Sequence, residues 1–281
     1  MKLNVFKNSI LAILLIFAYS CKKGNESTPS NGSATQTLFG LLTNKSVQTD
    51  GNLTLVANSL SFSDELVPNL DITGSFADKS KNVVKAEKFN VNGFDVKGEP
   101  NLRYYRHFSS STNPKDYDNV ATTLFGTDVN IIVSSEKFGN VSANIYTPLY
   151  VKLDLADIKN NEIVKSQGFT LKWNKDVGRL ALRGAGDEPK VGAAVIYHAG
   201  FSDNQSQNSL PVQNVSAFKT ANDSDGQITF TPQELAQLPT NGYVIVYTGR
   251  ANQQIATSTN GQTLAITSLA LASSQLLRMQ N

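Results

Sequence analysis

The chain has 281 residues, 40% of them apolar, enough to build a core in one large or two medium domains and too many for a disordered chain. Charged residues make up only 17%, against roughly 25% in an average soluble domain, while Asn alone numbers 28, so the surface is neutral and polar. With 25 Lys and Arg against 23 Asp and Glu, the formal charge of +2 is too small for the electrostatic footprint of a nucleic-acid binder.

At the N-terminus, Lys2 and Lys7 lead into an unbroken apolar run, Ile10 to Tyr19, that stops at Ser20 and Cys21. A basic start, a short apolar segment and a small residue make a secretory signal peptide, predicted over 1–20. The run is about half the roughly 20 residues that a spanning helix needs, and no second run of that kind follows. Cys21 is the only cysteine in the protein. In its setting, Ala18-Tyr19-Ser20-Cys21 resembles the relaxed lipobox of Bacteroidota-type lipoproteins, with Ala18 where the strict pattern commonly has Leu. The resemblance implies cleavage before Cys21, a diacylglycerol on its thiol and a further acyl chain on the new N-terminus. Two or more chains give a stable membrane anchor, where one holds only marginally. Loss of 1–20 removes Lys2 and Lys7 and no acid, leaving 23 residues of each sign and a neutral mature body. With its one cysteine acylated, that body has no disulfide, and its stability must come from core burial.

Residues 21–37 combine the anchor with a Gly-, Ser- and Asn-rich stretch that reads as a flexible tether, with Lys22 and Lys23 at the lipid headgroups. In lipoproteins of the resembled kind, surface export goes with an acidic cluster after the cysteine. The resemblance implies a lipid-anchored place in the cell envelope, on the outer membrane, and the lysines favour its periplasmic face over surface exposure.

The body reads as strands and turns. Asn-Gly and Asp-Gly pairs signal hairpins because both central residues of a type I′ turn need positive φ, and they occur at Asp50-Gly51, Asn92-Gly93, Asp225-Gly226, Asn241-Gly242 and Asn260-Gly261. Flanking residues alternate as half-buried strands do: Leu53, Leu55 and Ala57; Phe89 and Val91 answering Phe94 and Val96; Val151, Leu153 and Leu155. Phe169, Leu171 and Trp173 continue the pattern, followed by Val191, Ala193, Val195 and Tyr197, and then the β-rich run Tyr243 to Tyr247. One short helix is predicted near 232–238, with Thr231 as cap, Pro232 at the first position, Glu234 completing a capping box and Pro239 ending it. The pattern predicts an all-β body of two antiparallel, Ig-like β-sandwich domains, 38–146 and 147–281, divided at Tyr146-Thr147-Pro148; the alternative is one larger sandwich. The phrases Phe89 to Phe94, Leu171 to Asp176 and Ser224 to Pro239 are similar to those of uncharacterised Bacteroidota-type envelope lipoproteins, a resemblance that implies no known activity.

Catalytic chemistry is sparse. His107 and His198 are the only imidazoles, which excludes a three-His or Cys-rich zinc site, and neither a P-loop nor G-x-S-x-G nor G-x-G-x-x-G occurs. Asn222 to Ile228 resembles the middle of an EF-hand, but the loop ends would be Ala221 and Pro232 where carboxylates are required, so a turn is expected rather than calcium. Asp116, Asp118, Asp154 and Asp157 would make a glycosidase pair only if folding brought two of them together. Within Arg103 to Phe108, Tyr104, Arg106 and Phe108 share one strand face, and Tyr105 and His107 the other. Arg103, Tyr104, Arg106 and His107 are the candidate ligand contacts, for an anionic or sugar-like group, beside the plainer reading of an amphipathic strand. Trp173, the single tryptophan, alternates with apolar residues and is expected in the core rather than as a sugar platform. The reading is a non-catalytic binding or structural module anchored to a membrane by lipid, with no cofactor or metal and with a glycan or an envelope protein as partner. The alternatives are a glycan-binding accessory of a nutrient-uptake system and an envelope hydrolase.

Overall fold

The structure is a computed structural model that describes residue 42 and residues 48–60, 69–109, 117–181, 189–198, 216–240 and 242–281. The signal peptide, Cys21 and the tether expected over 1–37 lie outside the described residues, as do Asp116, Asn241 and the side chains of Asp118 and His198.

The fold is almost all β, with mixed sheet topology. In the largest sheet, β1 (Gly51–Leu60) stands between β2 (Asn69–Phe76) and β16 (Thr263–Ser273). Beyond β2 lie β6 (Tyr104–Phe108) and β5 (Lys97–Gly98). On the other side, β16 pairs with β15 (Tyr243–Thr257), which also takes β12 (Lys190–His198) and β17 (Leu277–Gln280); β13 (Ser216–Asn222) and β10 (Glu162–Val164) are the outermost. A four-stranded sheet runs β4 (Phe94–Asp95), β3 (Lys88–Val91), β7 (Thr127–Ser134), β8 (Val141–Thr147), and a three-stranded sheet runs β14 (Gln227–Phe230), β11 (Phe169–Trp173), β9 (Leu153–Asp154).

Alternation follows from burial on one face. Leu53, Leu55 and Ala57 are fully buried between exposed or half-buried neighbours, and Phe169, Leu171 and Trp173 are buried while Thr170 and Lys172 are not. Pairing is not antiparallel throughout, however. β1 runs parallel to β16 over ten pairs, from Gly51 opposite Leu264 to Leu60 opposite Ser273, and β10 runs parallel to β17. The hairpin at Asn260-Gly261 sets β16 antiparallel to β15, and on its other edge β16 lies parallel to β1.

Nor do the sheets divide into two sandwiches with no strand in common. One buried cluster lies between β1, β2 and the four-stranded sheet, with Leu53, Ile72, Phe89 and Ile131 among its members. A second lies between β12, β15 and the three-stranded sheet, with Val195, Val246, Leu171 and Phe230. β16 serves both, giving Leu264 and Ile266 to the first and Ala270 and Ala272 to the second, so one long sheet backs two smaller ones. On its opposite face the long sheet carries an apolar strip of Ala251, Leu269 and Leu271, against which Val56 and Leu42 pack.

The expectation of a single helix also needs correction. The capped helix is present as α3 (Pro232–Leu235), with Glu234 N–H donating to Thr231 Oγ1 and Thr231 N–H to Glu234 Oε2, but it covers four residues and then turns, with Leu235 and Leu238 buried. α1 (Tyr117–Leu124) and α2 (Val177–Ala181) precede it. α1 closes the first cluster with Tyr117, Val120, Ala121 and Leu124, a stripe at helical spacing that strand alternation elsewhere obscured. Of the hairpin signals, Asn92-Gly93 joins β3 to β4 with φ of 47° and 90°, and Asn260-Gly261 joins β15 to β16. Asp225-Gly226 instead ends a 3-10 turn at Asp223–Asp225, and Asp50 leads into β1 while its carboxylate accepts from Thr263 N–H. Asn160 and Asn161, at φ of 55° and 57°, make a tight turn that carries no glycine.

Candidate functional site

β6 divides the predicted ligand contacts between its two faces. Tyr104 and Phe108 are buried and Tyr105 and His107 exposed. Tyr104 belongs to an aromatic cluster with Phe76 and Phe89, and its hydroxyl is fully engaged, accepting from Ala86 N–H at 2.6 Å and donating to Ala86 O at 3.0 Å. Gly74, opposite Tyr104 on β2, permits that packing: a Cβ there would stand 2.7 Å from Phe89. Arg106 lies over the rings of Phe94 and Phe108, 5.2 and 4.7 Å from their centroids, and donates to Asp95 O.

The outward face is organised around Asp71. Asp71 Oδ1 accepts from the Tyr105 hydroxyl at 2.8 Å and stands 2.8 Å from His107 Nδ1, and the two rings stack at 6.4 Å with 14° between planes. Tyr105 is 45% exposed, yet partial burial and the Asp71 carboxylate push its phenol pKa up to about 12. Strand register then aligns the neighbours: Thr73 is opposite Tyr105 and Thr54, and Ser75 is opposite Asn52. These uncharged side chains, with Glu99, Arg103 and Tyr105 at the rim, line an open cleft of about 480 Å³. A second cleft of about 420 Å³ shares Glu99 and Tyr104 with the first and is lined as well by the charged Lys85, Glu87 and Lys97. Arg103 and His107 thus stand on the accessible side; Tyr104, although buried, also lines the cleft, and half-buried Arg106 packs on the inner face of the strand. Tyr105 is not among the contacts expected from the sequence, although the strand alternation places it on the face away from Tyr104 and Arg106 and so marks it as the outward aromatic.

A second polar cluster is buried where the two cores meet. Arg250 and Asp223 are both fully buried and bonded bidentately, with Nε to Oδ2 at 3.0 Å and Nη2 to Oδ1 at 2.8 Å. Trp173, 6% exposed, donates its indole N–H to Asp223 Oδ1 at 3.1 Å. Arg250 also donates to the backbone carbonyls of Leu149 and Asn174. Asp176 accepts from Tyr146 Oη at 2.7 Å, Leu149 N–H at 2.7 Å and Arg179 N–H, and burial together with that carboxylate pushes the Tyr146 pKa upward. Asp223, Arg250 and Asp176 are bonded within the cluster, and Arg179 Nη2 donates to Ala251 O while its buried Nη1 has no hydrogen-bond partner among the described residues, so the cluster chiefly ties strands together. The EF-hand-like loop is part of it: Asp223 is committed to Arg250 and Trp173, and Asp225 accepts from Asn222 N–H. Asp154 caps a turn through Ala156 N–H, and Asp157 pairs with Lys172 at 3.8 Å. Among the described residues, no group of three or more His, Cys, Asp or Glu could hold a metal ion.

No family model matches the chain, and no curated protein matches it. Among solved structures, one concerned with host-cell-surface retention of a 1.5-MDa bacterial ice-binding adhesin is similar at 9% identity, over 84% of this chain and 67% of that one, with a TM-score of 0.22. A tetra-tandem repeat from the extending region of a large adhesion protein aligns at 15% identity over 80% of this chain and 50% of its own, with a TM-score of 0.19. A DUF3823 family protein from Bacteroides ovatus aligns at 11% identity over 76% and 98%, with a TM-score of 0.17.

Proposed function

We propose that this is a lipid-anchored envelope protein with a non-catalytic binding role. In this reading residues 1–20 are removed, Cys21 carries the acyl chains, 21–37 form the tether, and 38–146 and 147–281 are two β-sandwich domains of the exported body joined through the shared strand β16. The signal-like N-terminus, the single cysteine where the apolar run ends and the neutral mature charge support it. The lysines after Cys21 favour the periplasmic side of the outer membrane. The observation that carries the binding role is the outward Tyr105, held in one orientation by Asp71 and His107 beside an open polar cleft. Its partner is a glycan or an envelope protein, and not a nucleic acid.

The anchor is tested by feeding labelled fatty acid to cells that carry wild type or Cys21→Ser. Label and membrane fractionation are both expected to vanish in the variant, and label retained there overturns the anchor. The binding face is tested by hydrogen exchange on the protein in and out of its native envelope. Slowed exchange is expected in β1, β2 and β6; slowing confined to the three-stranded sheet would move the binding face elsewhere.

A further inference from the structure

We propose that the cleft beside Tyr105 is a subsite for a neutral sugar residue of an oligosaccharide, with the Tyr105 ring as its stacking platform and the hydroxyl-lined sheet face as its floor. The inference rests on the binding role proposed above and names the ligand class of that face.

The floor is made by adjacent strands. Asn52 faces Ser75 and Thr54 faces Thr73 across the β1–β2 pair, so the four side chains form a grid roughly 4.8 Å wide, the spacing between neighbouring strands. The hydroxyls of Thr54, Thr73 and Ser75 have no hydrogen-bond partner among the described residues, and all three are half-buried or exposed. Each is both donor and acceptor, as is every hydroxyl of a sugar, so a ligand of that chemistry replaces the bound water bond for bond. A hydrocarbon ligand would strip water from these groups and return nothing.

Tyr105 supplies the other half of the recognition. The residue is 45% exposed, its hydroxyl is fixed on Asp71 at 2.8 Å, and His107 stacks on the ring at 6.4 Å. Fixing the ring beforehand lowers the ordering cost of binding. A sugar ring has the matching shape, an apolar C–H face with hydroxyls at its edge, so one face can lie on Tyr105 while the edge meets Thr73, directly opposite Tyr105 in the register.

Charge selects for neutrality. Glu99 and Arg103 are of opposite sign at the same rim, and Asp71 is already engaged by Tyr105 and His107. A carboxylate or sulfate on the ligand would meet Glu99 as well as Arg103, whereas neutral hydroxyls can donate to Glu99 and accept from Arg103. The cleft is open and its volume of about 480 Å³ lies within the range of small-ligand sites, with room for a short oligosaccharide.

The test presents the full-length protein to neutral hexasaccharides of glucan, mannan and xylan and to acidic ones of polygalacturonate and alginate, followed by calorimetric titration of whichever binds. A neutral hexasaccharide is expected to bind, Tyr105→Ala to weaken it by about tenfold or more, and Thr73→Val by several-fold, with melting curves unaltered. Val177→Ala, at an exposed residue away from the cleft, should bind as wild type does. Binding of acidic sugars alone, abolished by Arg103→Ala, overturns the neutral class and leaves the binding face standing. If no saccharide binds while a photo-crosslinking residue at position 105 captures an envelope protein, the sugar subsite is refuted and the face again survives. If neither occurs, both readings fall.

Discussion

Removing the Asp223 carboxylate should be among the most damaging single changes available in this fold. Asp223→Ala leaves the fully buried Arg250 guanidinium with only backbone carbonyls of Leu149 and Asn174, and the Trp173 indole N–H with only the Asp223 carbonyl at 3.3 Å. Breaking a buried ion pair from one side costs about 3–5 kcal/mol, and a buried donor left poorly satisfied costs about 1–3 kcal/mol. The two overlap because Arg250 and Trp173 share one acceptor oxygen, Oδ1, so a loss of about 4–6 kcal/mol is expected, out of about 5–15 kcal/mol for a typical domain. Urea unfolding followed by far-ultraviolet circular dichroism measures the loss. Emission of Trp173, the only tryptophan, reports the cluster itself and should shift to the red in the variant. The double variant Asp223→Leu/Arg250→Met removes both charges and should recover much of the stability, since an apolar pair of similar volume is often as stable as a buried ion pair. A single variant within about 1 kcal/mol of wild type, or a double variant no better than the single, would refute the reasoning.

Three further outcomes are expected. Tyr104→Phe strands the N–H and C=O of Ala86 and should cost about 1–3 kcal/mol without touching saccharide binding, the reverse of Tyr105→Ala. Burial works to raise the Glu234 pKa, but hydrogen bonds from Lys219 and Thr231 outweigh it and hold the carboxyl below its usual range. Its stabilising effect is therefore present above the ordinary carboxylate pKa of about 4.3 and lost as pH falls through the lower folded value, so the melting-temperature gap between wild type and Glu234→Gln should be full at neutral pH and close in acid. Gly168→Ala places a Cβ 2.4 Å from Phe230 O at a φ of +68°, and should cost about 1–2 kcal/mol or more in the same urea assay.

Much of the local structure was legible because burial imposes a period on the sequence. The alternation at Leu53, at Phe169 and at Val244, the capping box at Thr231 and the core position of Trp173 all follow from short-range pattern and reappear in the structure. What failed was long range. Nothing in the sequence near Gly51 says that its neighbour will be Leu264 in parallel, since the pairing is chosen by the β15–β16 hairpin and by which edge remains open. The Arg250–Asp223–Trp173 cluster was hidden for the same reason: a charge in a β-rich run reads as an outward residue until its partner, 27 positions away, is known to be buried with it. At the candidate site, the alternation sorted β6 into two faces correctly, but only the register of β2 against β6 brings Asp71 and Thr73 beside Tyr105.

The parallel pairing of β1 with β16 also constrains the order in which the molecule can be completed. During synthesis β1 emerges early and acquires β2 on one side, while its other edge, ten residues long, waits for a strand made more than two hundred residues later. Until Thr263 to Ser273 arrive, Leu264 and Ile266 are missing from the first buried cluster and an unpaired edge is open to any strand that meets it. Contacts of such sequence separation form late and slowly, so the nascent chain has most to gain from a chaperone, or from being kept unfolded until its last strands are available. Loss of the final twenty residues would accordingly damage the earliest part of the body as severely as the latest.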